Sequence, residues 1–182
     1  MKPRLLLLDR DGTVTIEREG FITQPHQLEL IPKAAEAIAL ANHRGLRVAL
    51  VTNQSVVGRG IITEEQLEEI HAHLHSLLGA QGAVLDAIYA ATDHPDRPTP
   101  RRKPGSGMLR EALNEFGVSA SESVMVGDSL GDLMAAASLG MPRILVRTGK
   151  GEATLAKESL SAAEPFFIDT DLNAAVTRLF GD

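Results

Sequence analysis

Two carboxylates, Asp9 and Asp11, stand one residue apart where the apolar run "RLLLL" gives way to "DRDGT". In an extended chain residues i and i+2 point to the same side, so this pair would crowd at a strand's tip. Two like charges about 4 Å apart repel by roughly 4 kcal/mol at an effective dielectric of 20, so the spacing asks for something positive between them, and a divalent cation is the natural candidate. Three further stretches carry reactive side chains. "VTNQ" offers the hydroxyl of Thr52 and the amide of Asn53, "RRKPG" sets Lys103 beside Arg102, and "VGDSLGD" holds Asp128 and Asp132 four residues apart. Singly these are ordinary turn and cap chemistry; they mean more only if the fold brings them together.

The elements between them do predict that convergence. Apolar runs alternate with segments of helical period, the pattern of a parallel sheet covered by helices. Strands are expected at Leu5 to Asp9, Leu46 to Thr52, Ala87 to Ala91, Ser123 to Gly127 and Arg143 to Val146. Helices are expected at Pro32 to His43, Glu64 to Leu78, Gly107 to Phe116, Leu130 to Leu139 and Leu172 to Leu179. Thr63 and Gln66 form a capping box, Gly45 and Gly117 follow helix ends, and Gly79 suits a C-cap. The fold class is therefore α/β, a Rossmann-like three-layer sandwich around a parallel sheet of about five strands. The four reactive stretches fall after strands one to four, at the sheet end where open α/β folds bind ligands.

Size and charge narrow the ligand. The 182 residues suit a single domain spanning 1–182, and 43% hydrophobic with 23% charged residues is ordinary for a globular chain. A net charge of −6 gives no general field for nucleic acid or an anionic membrane, so a small molecule is the expected partner. The chain has no cysteine, which excludes disulfides and thiolate metal sites. "MKPRLLLLDRD" is too short in apolar residues for a secretory core, no run approaches a membrane span, and a cytoplasmic location follows as the expectation. "TDHPDRPTPRRKPGSG" is the compositional exception, a basic loop stiffened by Pro95, Pro98, Pro100 and Pro104.

"DRDGT", "TNQ", the lysine of "RRKPG" and "VGDSLGD", in this order, resemble the motif set of the haloacid dehalogenase (HAD) superfamily of phosphohydrolases over nearly the whole chain. The resemblance implies that Asp9 is the nucleophile carrying an aspartyl-phosphate and that Asp11 is the acid/base. It implies Mg²⁺ held by the Asp9 carboxylate, the Asp11 backbone carbonyl and the Asp128 side chain. Thr52 and the amide of Asn53 would bind phosphoryl oxygens, Lys103 would balance their charge, and Asp132 would orient the metal's waters or Lys103. Gly12 would turn the chain and Thr13 would be a structural hydroxyl. The segments Thr13 to Pro32 and Asn53 to Lys103 leave no room for a large cap domain.

Within the superfamily, "TNQSVVGRG", "RRKPGSGML" and "LVRTGKG" look most like the heptose bisphosphate phosphatases, which implies a sugar bisphosphate with Arg102 and Arg59 facing its remote groups. Val56 departs from the glycine usual in that turn. Such relatives commonly order the basic loop with zinc held by cysteines and histidine; here "TDH" and "TPR" leave only His94, so no structural zinc is expected. The prolines are the expected replacement. In "HAHLH", His71 and His75 flank a buried stripe of Leu67, Ile70, Leu74 and Leu77, so they are read as a solvated face. Histidinol-phosphate phosphatases, polynucleotide 3′-phosphatases and, from another class, phosphoryl receivers are the alternatives. Receivers carry the phosphorylated aspartate on the third strand, where "AIYAA" has none. A monomer is expected.

Overall fold

Four consecutive leucines, Leu5–Leu8, form strand β1, and all four are fully buried. That is possible only when both faces of a strand are covered, as in a parallel sheet between helical layers. In the computed structural model, which describes residues 3–181, Leu6 and Leu8 pack into one core and Leu5 and Leu7 into the other. The alternation is that of an extended chain. Each such burial contributes roughly 1.5–3 kcal/mol.

β1 lies at the centre of a six-stranded, all-parallel sheet with β2 (Arg47–Asn53), β3 (Ala87–Ala91), β4 (Ser123–Gly127), β5 (Arg143–Val146) and β6 (Phe167–Asp169). The order is β3-β2-β1-β4-β5-β6. Helices α1 (Ala34–His43), α3 (Glu64–Gly79) and α7 (Leu172–Phe180) cover the face of Leu6 and Leu8. Helices α4 (Gly107–Phe116) and α5 (Leu130–Ala137) cover the other. Two short helices, α2 (Ser55–Gly58) and α6 (Gly151–Leu155), lie in the loops after β2 and β5. The fold is the α/β sandwich expected, with no large cap domain among the described residues.

The chain runs outward from β1 through β2 to β3, then returns to add β4, β5 and β6 on the other side. Loops after β1 and β4 therefore diverge to opposite faces and leave a crevice at the C-terminal strand ends, where Asp9 and Asp128 stand. The register sets their height, because Leu8 lies opposite both Leu50 and Val126. Asp9, Thr52 and Asp128 thus emerge at nearly one level.

Several sequence expectations need adjustment. β6 was not anticipated; three residues at a sheet edge, two of them exposed, give no apolar run to detect. The Thr63–Gln66 capping box forms, but Gly79 is the last helical residue and Ala80 is the cap. Leu78, rather than Leu77, completes the buried stripe of α3. No helix among the described residues is long and apolar enough to cross a membrane.

Candidate active site

The side chains of Asp9 and Asp11 engage different protein cations. Lys103 Nζ reaches Asp9 Oδ1 at 2.9 Å. Asp11 turns to Arg10 and accepts from Nε at 3.1 Å and from the NH2 arm at 2.9 Å. Gln54 Nε2 and Thr15 Oγ1 add hydrogen bonds to Asp11 at 2.9 and 3.1 Å. The repulsion inferred from spacing is thus relieved by two separate protein cations. Their effects on the two acids differ. Burial pushes Asp9 up to about 7 against the pull of Lys103, with Asp132 and Asp11 adding to the rise. Burial would raise Asp11 too, but the charge and hydrogen bonds of Arg10, with Gln54 and Thr15, hold it below the usual carboxylate range.

Asp128 closes the crevice from β4. Its Oδ2 accepts from the Lys150 amide at 2.7 Å, and its backbone oxygen accepts from Thr154 Oγ1 at 2.9 Å. Two glycines make room for it. Gly12, at φ +86°, would set a Cβ 2.1 Å from Asp128 Oδ2, and Gly149, at φ +56°, would do so at 2.2 Å. Gly12 is therefore needed for close approach as much as for its turn. Burial, together with Asp9 and Asp132, raises Asp128 to about 8. Carboxylate oxygens of Asp9, Asp128 and Asp132 lie within 4.8 Å of one another. Asp132 is otherwise engaged, so Asp9 and Asp128 are the pair with oxygens to offer a hard cation, and their raised pKa values are what such a cation would reverse.

Asp132 combines two functions that the spacing alone could not separate. Its Oδ1 accepts from Lys103 Nζ at 2.5 Å. Its Oδ2 accepts from the Ser129 amide at 3.0 Å and hydroxyl at 2.6 Å, completing the capping box of α5. Lys103 also donates to the Val51 carbonyl at 2.6 Å. Burial would lower its pKa, but Asp132 and Asp9 more than compensate and raise it.

Thr52 and Asn53 sit at the end of β2. The Asn53 side chain is committed to the lysine loop: it donates to the Lys103 carbonyl at 2.9 Å and accepts from the Lys103 amide at 3.0 Å. This leaves the backbone, not the side chain, as the group the residue can offer a ligand. Gln54 Nε2 donates to Thr52 Oγ1 at 2.8 Å as well as to Asp11, and Gln54 Oε1 accepts from Arg10 at 3.0 Å. Sequence reasoning passed over Gln54, Lys150 and Arg10, although "TNQ", "LVRTGKG" and "DRDGT" contain them.

A cleft of about 270 Å³ opens over these residues, lined by Asp9, Asp11, Thr52, Asn53, Lys103, Asp128 and, at the rim, Arg102 and Phe21. Arg102 brings a buried NH1 nitrogen that has no hydrogen-bond partner. An unpaired guanidinium arm beside a cleft fits an anion. Arg59 does not line the cleft; its guanidinium lies 5.7 Å from the Phe21 ring centroid. Val56 is buried and also lines the cleft. In the basic loop, Asp93 Oδ2 accepts from the amide and hydroxyl of Thr99 at 2.7 and 2.6 Å. Arg101 forks Glu111 at 2.7 and 3.0 Å, and His94 Nδ1 accepts from the Asp96 amide at 3.2 Å. His71 corrects an expectation: it is half-buried rather than solvated, with Nε2 lying 3.3 Å from Arg10.

Parallel topology, an acid pair at the tip of β1 and a lysine held between Asp9 and Asp132 fit a phosphatase of the HAD superfamily. A HAD-hydrolase-like family profile matches residues 100–175. The chain is 40% identical to D-glycero-beta-D-manno-heptose-1,7-bisphosphate 7-phosphatase of Pseudomonas aeruginosa over 98% of its length and 99% of that protein. It is 34% identical to D-glycero-D-manno-heptose-1,7-bisphosphate 7-phosphatase of Chlorobaculum tepidum, covering 96% of this chain and 92% of the relative. The crystal structure of D,D-heptose 1,7-bisphosphate phosphatase from B. bronchiseptica, complexed with magnesium and phosphate, superposes with a TM-score of 0.92 at 37% identity, covering 97% and 98% of the two chains. The chain belongs to the heptose-1,7-bisphosphate 7-phosphatase family of the HAD superfamily.

Proposed function

We propose that the chain, as one monomeric domain in the cytoplasm, hydrolyses the 7-phosphate of D-glycero-D-manno-heptose 1,7-bisphosphate through an aspartyl-phosphate. The observation that carries the chemistry is the position of Asp9, facing the cleft between the Lys103 ammonium and the Asp128 carboxylate. The substrate rests on the full-length relatives, and the β anomer is preferred because the P. aeruginosa and P. putida relatives are named for it.

An Asp9 oxygen attacks phosphorus and the ester P–O bond breaks, while Asp11, which must first take up a proton from solvent against the pull of Arg10, delivers it to the departing oxygen. Water then attacks the acyl phosphate, Asp11 takes its proton, and the bond between phosphorus and Asp9 breaks to release phosphate. Lys103 neutralises phosphoryl charge in both steps and Asp132 holds it in place. Thr52 Oγ1 and the Asn53 amide bind phosphoryl oxygens. Arg102, which lines the cleft, meets the remote phosphate, and Arg59 supports Phe21 beside it. Asp9, Asp128 and the Asp11 carbonyl would hold Mg²⁺, which when bound supplies positive charge against the phosphoryl oxygens and Asp9. The site needs no zinc to shape its loop, because the Asp93–Thr99, Arg101–Glu111 and Asn53–Lys103 contacts and the prolines do that work.

The test is phosphate release from both heptose bisphosphate anomers, histidinol phosphate, simple sugar phosphates and a 3′-phosphorylated oligonucleotide, with Mg²⁺ or EDTA and with Asp9→Asn as the blank. Turnover of the β-heptose bisphosphate at least about tenfold above the others, lost in EDTA and in the blank, is expected. Preference for histidinol phosphate or the oligonucleotide would overturn the substrate and leave the chemistry standing.

A further inference from the structure

Arg10 is almost wholly buried, and its guanidinium is divided among three partners. Its Nε and NH2 edge forks Asp11, NH2 also reaches Gln54, and NH1 lies 3.3 Å from His71 Nε2 on α3. Arginine can only donate, so Nε2 must be the acceptor and the imidazole proton sits on Nδ1. The ring must therefore be neutral. Burial, reinforced by the Arg10 charge, holds it so by lowering its pKa to about 4. This assignment also removes His71 as a metal ligand through Nε2, since that lone pair is taken.

His71 touches no reacting atom, and nothing in the proposed chemistry uses it. Its geometry nonetheless bears on the acid/base. A guanidinium is a rigid plane, so anchoring the NH1 arm fixes where the opposite edge points. That edge is what orients the Asp11 carboxylate.

We infer that His71 is a positioning residue for Asp11, setting through Arg10 the angle at which the acid/base addresses the leaving oxygen. The inference rests on the reading of Asp11 given above. It gives the half-buried His71 of "HAHLH" a function in the reaction cycle, carried by a helix that contributes nothing else to the cleft's chemistry.

The experiment compares kcat/KM for an alkyl phosphate and for p-nitrophenyl phosphate, because an alkoxide needs a proton as it leaves and p-nitrophenolate does not. Asp11→Asn should lower the alkyl ester by about 100-fold or more and the aryl ester far less. His71→Leu, which keeps bulk and removes the acceptor, should lower the alkyl ester by about tenfold and leave the aryl ester within about twofold, with KM little changed. His71→Gln, whose side-chain oxygen can accept from Arg10, should restore most of the loss. His71→Ala is a second variant without an acceptor should the leucine protein fail to fold. Equal losses on both esters, no loss on either, or a glutamine variant as impaired as leucine would overturn the inference. If Asp11→Asn itself shows no dependence on the leaving group, the reading of Asp11 falls and takes this inference with it.

Discussion

Asp132 Oδ1 holds the Lys103 ammonium at 2.5 Å, with both side chains buried, and the same ammonium lies 2.9 Å from Asp9. The lysine that would balance phosphoryl charge is thus anchored by a second, buried acid. Because the other Asp132 oxygen caps α5, the helix start and the lysine are fixed by one carboxylate.

Replacing that acid should cost both activity and stability. Removing one partner of a buried ion pair commonly costs about 3–5 kcal/mol, and Asp9 remains here as a second partner, so the lower end applies. For Asp132→Asn we expect kcat to fall at least about tenfold and the melting temperature to drop by several degrees. Thermal melts and steady-state kinetics on one preparation check this, and an unchanged kcat would remove Asp132 from the account.

Magnesium affinity should rise with pH. Burial raises Asp9 to about 7 and Asp128 to about 8, so near neutrality the folded, metal-free protein holds protons that the unfolded chain has released. The sign follows: a raised carboxyl pKa makes the metal-free fold lose stability as pH climbs from about 4 toward 8. A cation must displace those protons. Titration calorimetry in buffers of different ionisation enthalpy should show proton release on Mg²⁺ binding at pH 6.5 and less at pH 8.5. The Mg²⁺-induced gain in melting temperature should be larger at pH 8 than at pH 6.

The two arginines named for the remote end of the substrate should part company. Arg102 lines the cleft and has an unpaired NH1 buried beside it, whereas Arg59 lies over Phe21 and is not part of the lining. Arg102→Ala should raise KM for a bisphosphate by about tenfold or more while sparing a monophosphate, and Arg59→Ala should change either by no more than about threefold. KM measured with both substrate types decides it.

The basic loop gives a further comparison. Asp93 ties back Thr99 through two hydrogen bonds, and Pro98 and Pro100 stiffen the same segment. Asp93→Ala should raise KM several-fold with kcat nearly unchanged, because the loop delivers Arg102. The Pro98→Ala, Pro100→Ala pair should act in the same direction and less strongly, through the free loop's entropy. Unchanged kinetics in both proteins would mean that Arg102 and the Asn53–Lys103 contacts order the loop unaided.

The strand-end acids and five strands of the sheet were legible because each lies in or next to a continuous apolar run. Lys103, in a polar loop twelve residues past β3, was legible only through the motif resemblance. Leu5–Leu8 could be nothing but a doubly covered strand, which put Asp9 at its tip. The contacts that orient the site were not legible. Gln54 bridges Thr52, Asp11 and Arg10, and Lys150 offers Asp128 only its backbone amide, so no side-chain type announced it. His71 was misread because its helix face is polar by composition, yet that face meets the Arg10 guanidinium from a residue 61 positions away. Long-range polar contacts of this sort leave no periodic trace.

Covalent labelling of Asp9 is the most direct test of the chemistry. Enzyme mixed with Mg²⁺ and substrate carrying ³²P at the hydrolysed position, quenched in acid within milliseconds and digested, should yield a base-labile label on the peptide holding Asp9. Asp9→Asn should yield none and release no phosphate. Full phosphate release with no labelled peptide, in either protein, would contradict nucleophilic attack by Asp9.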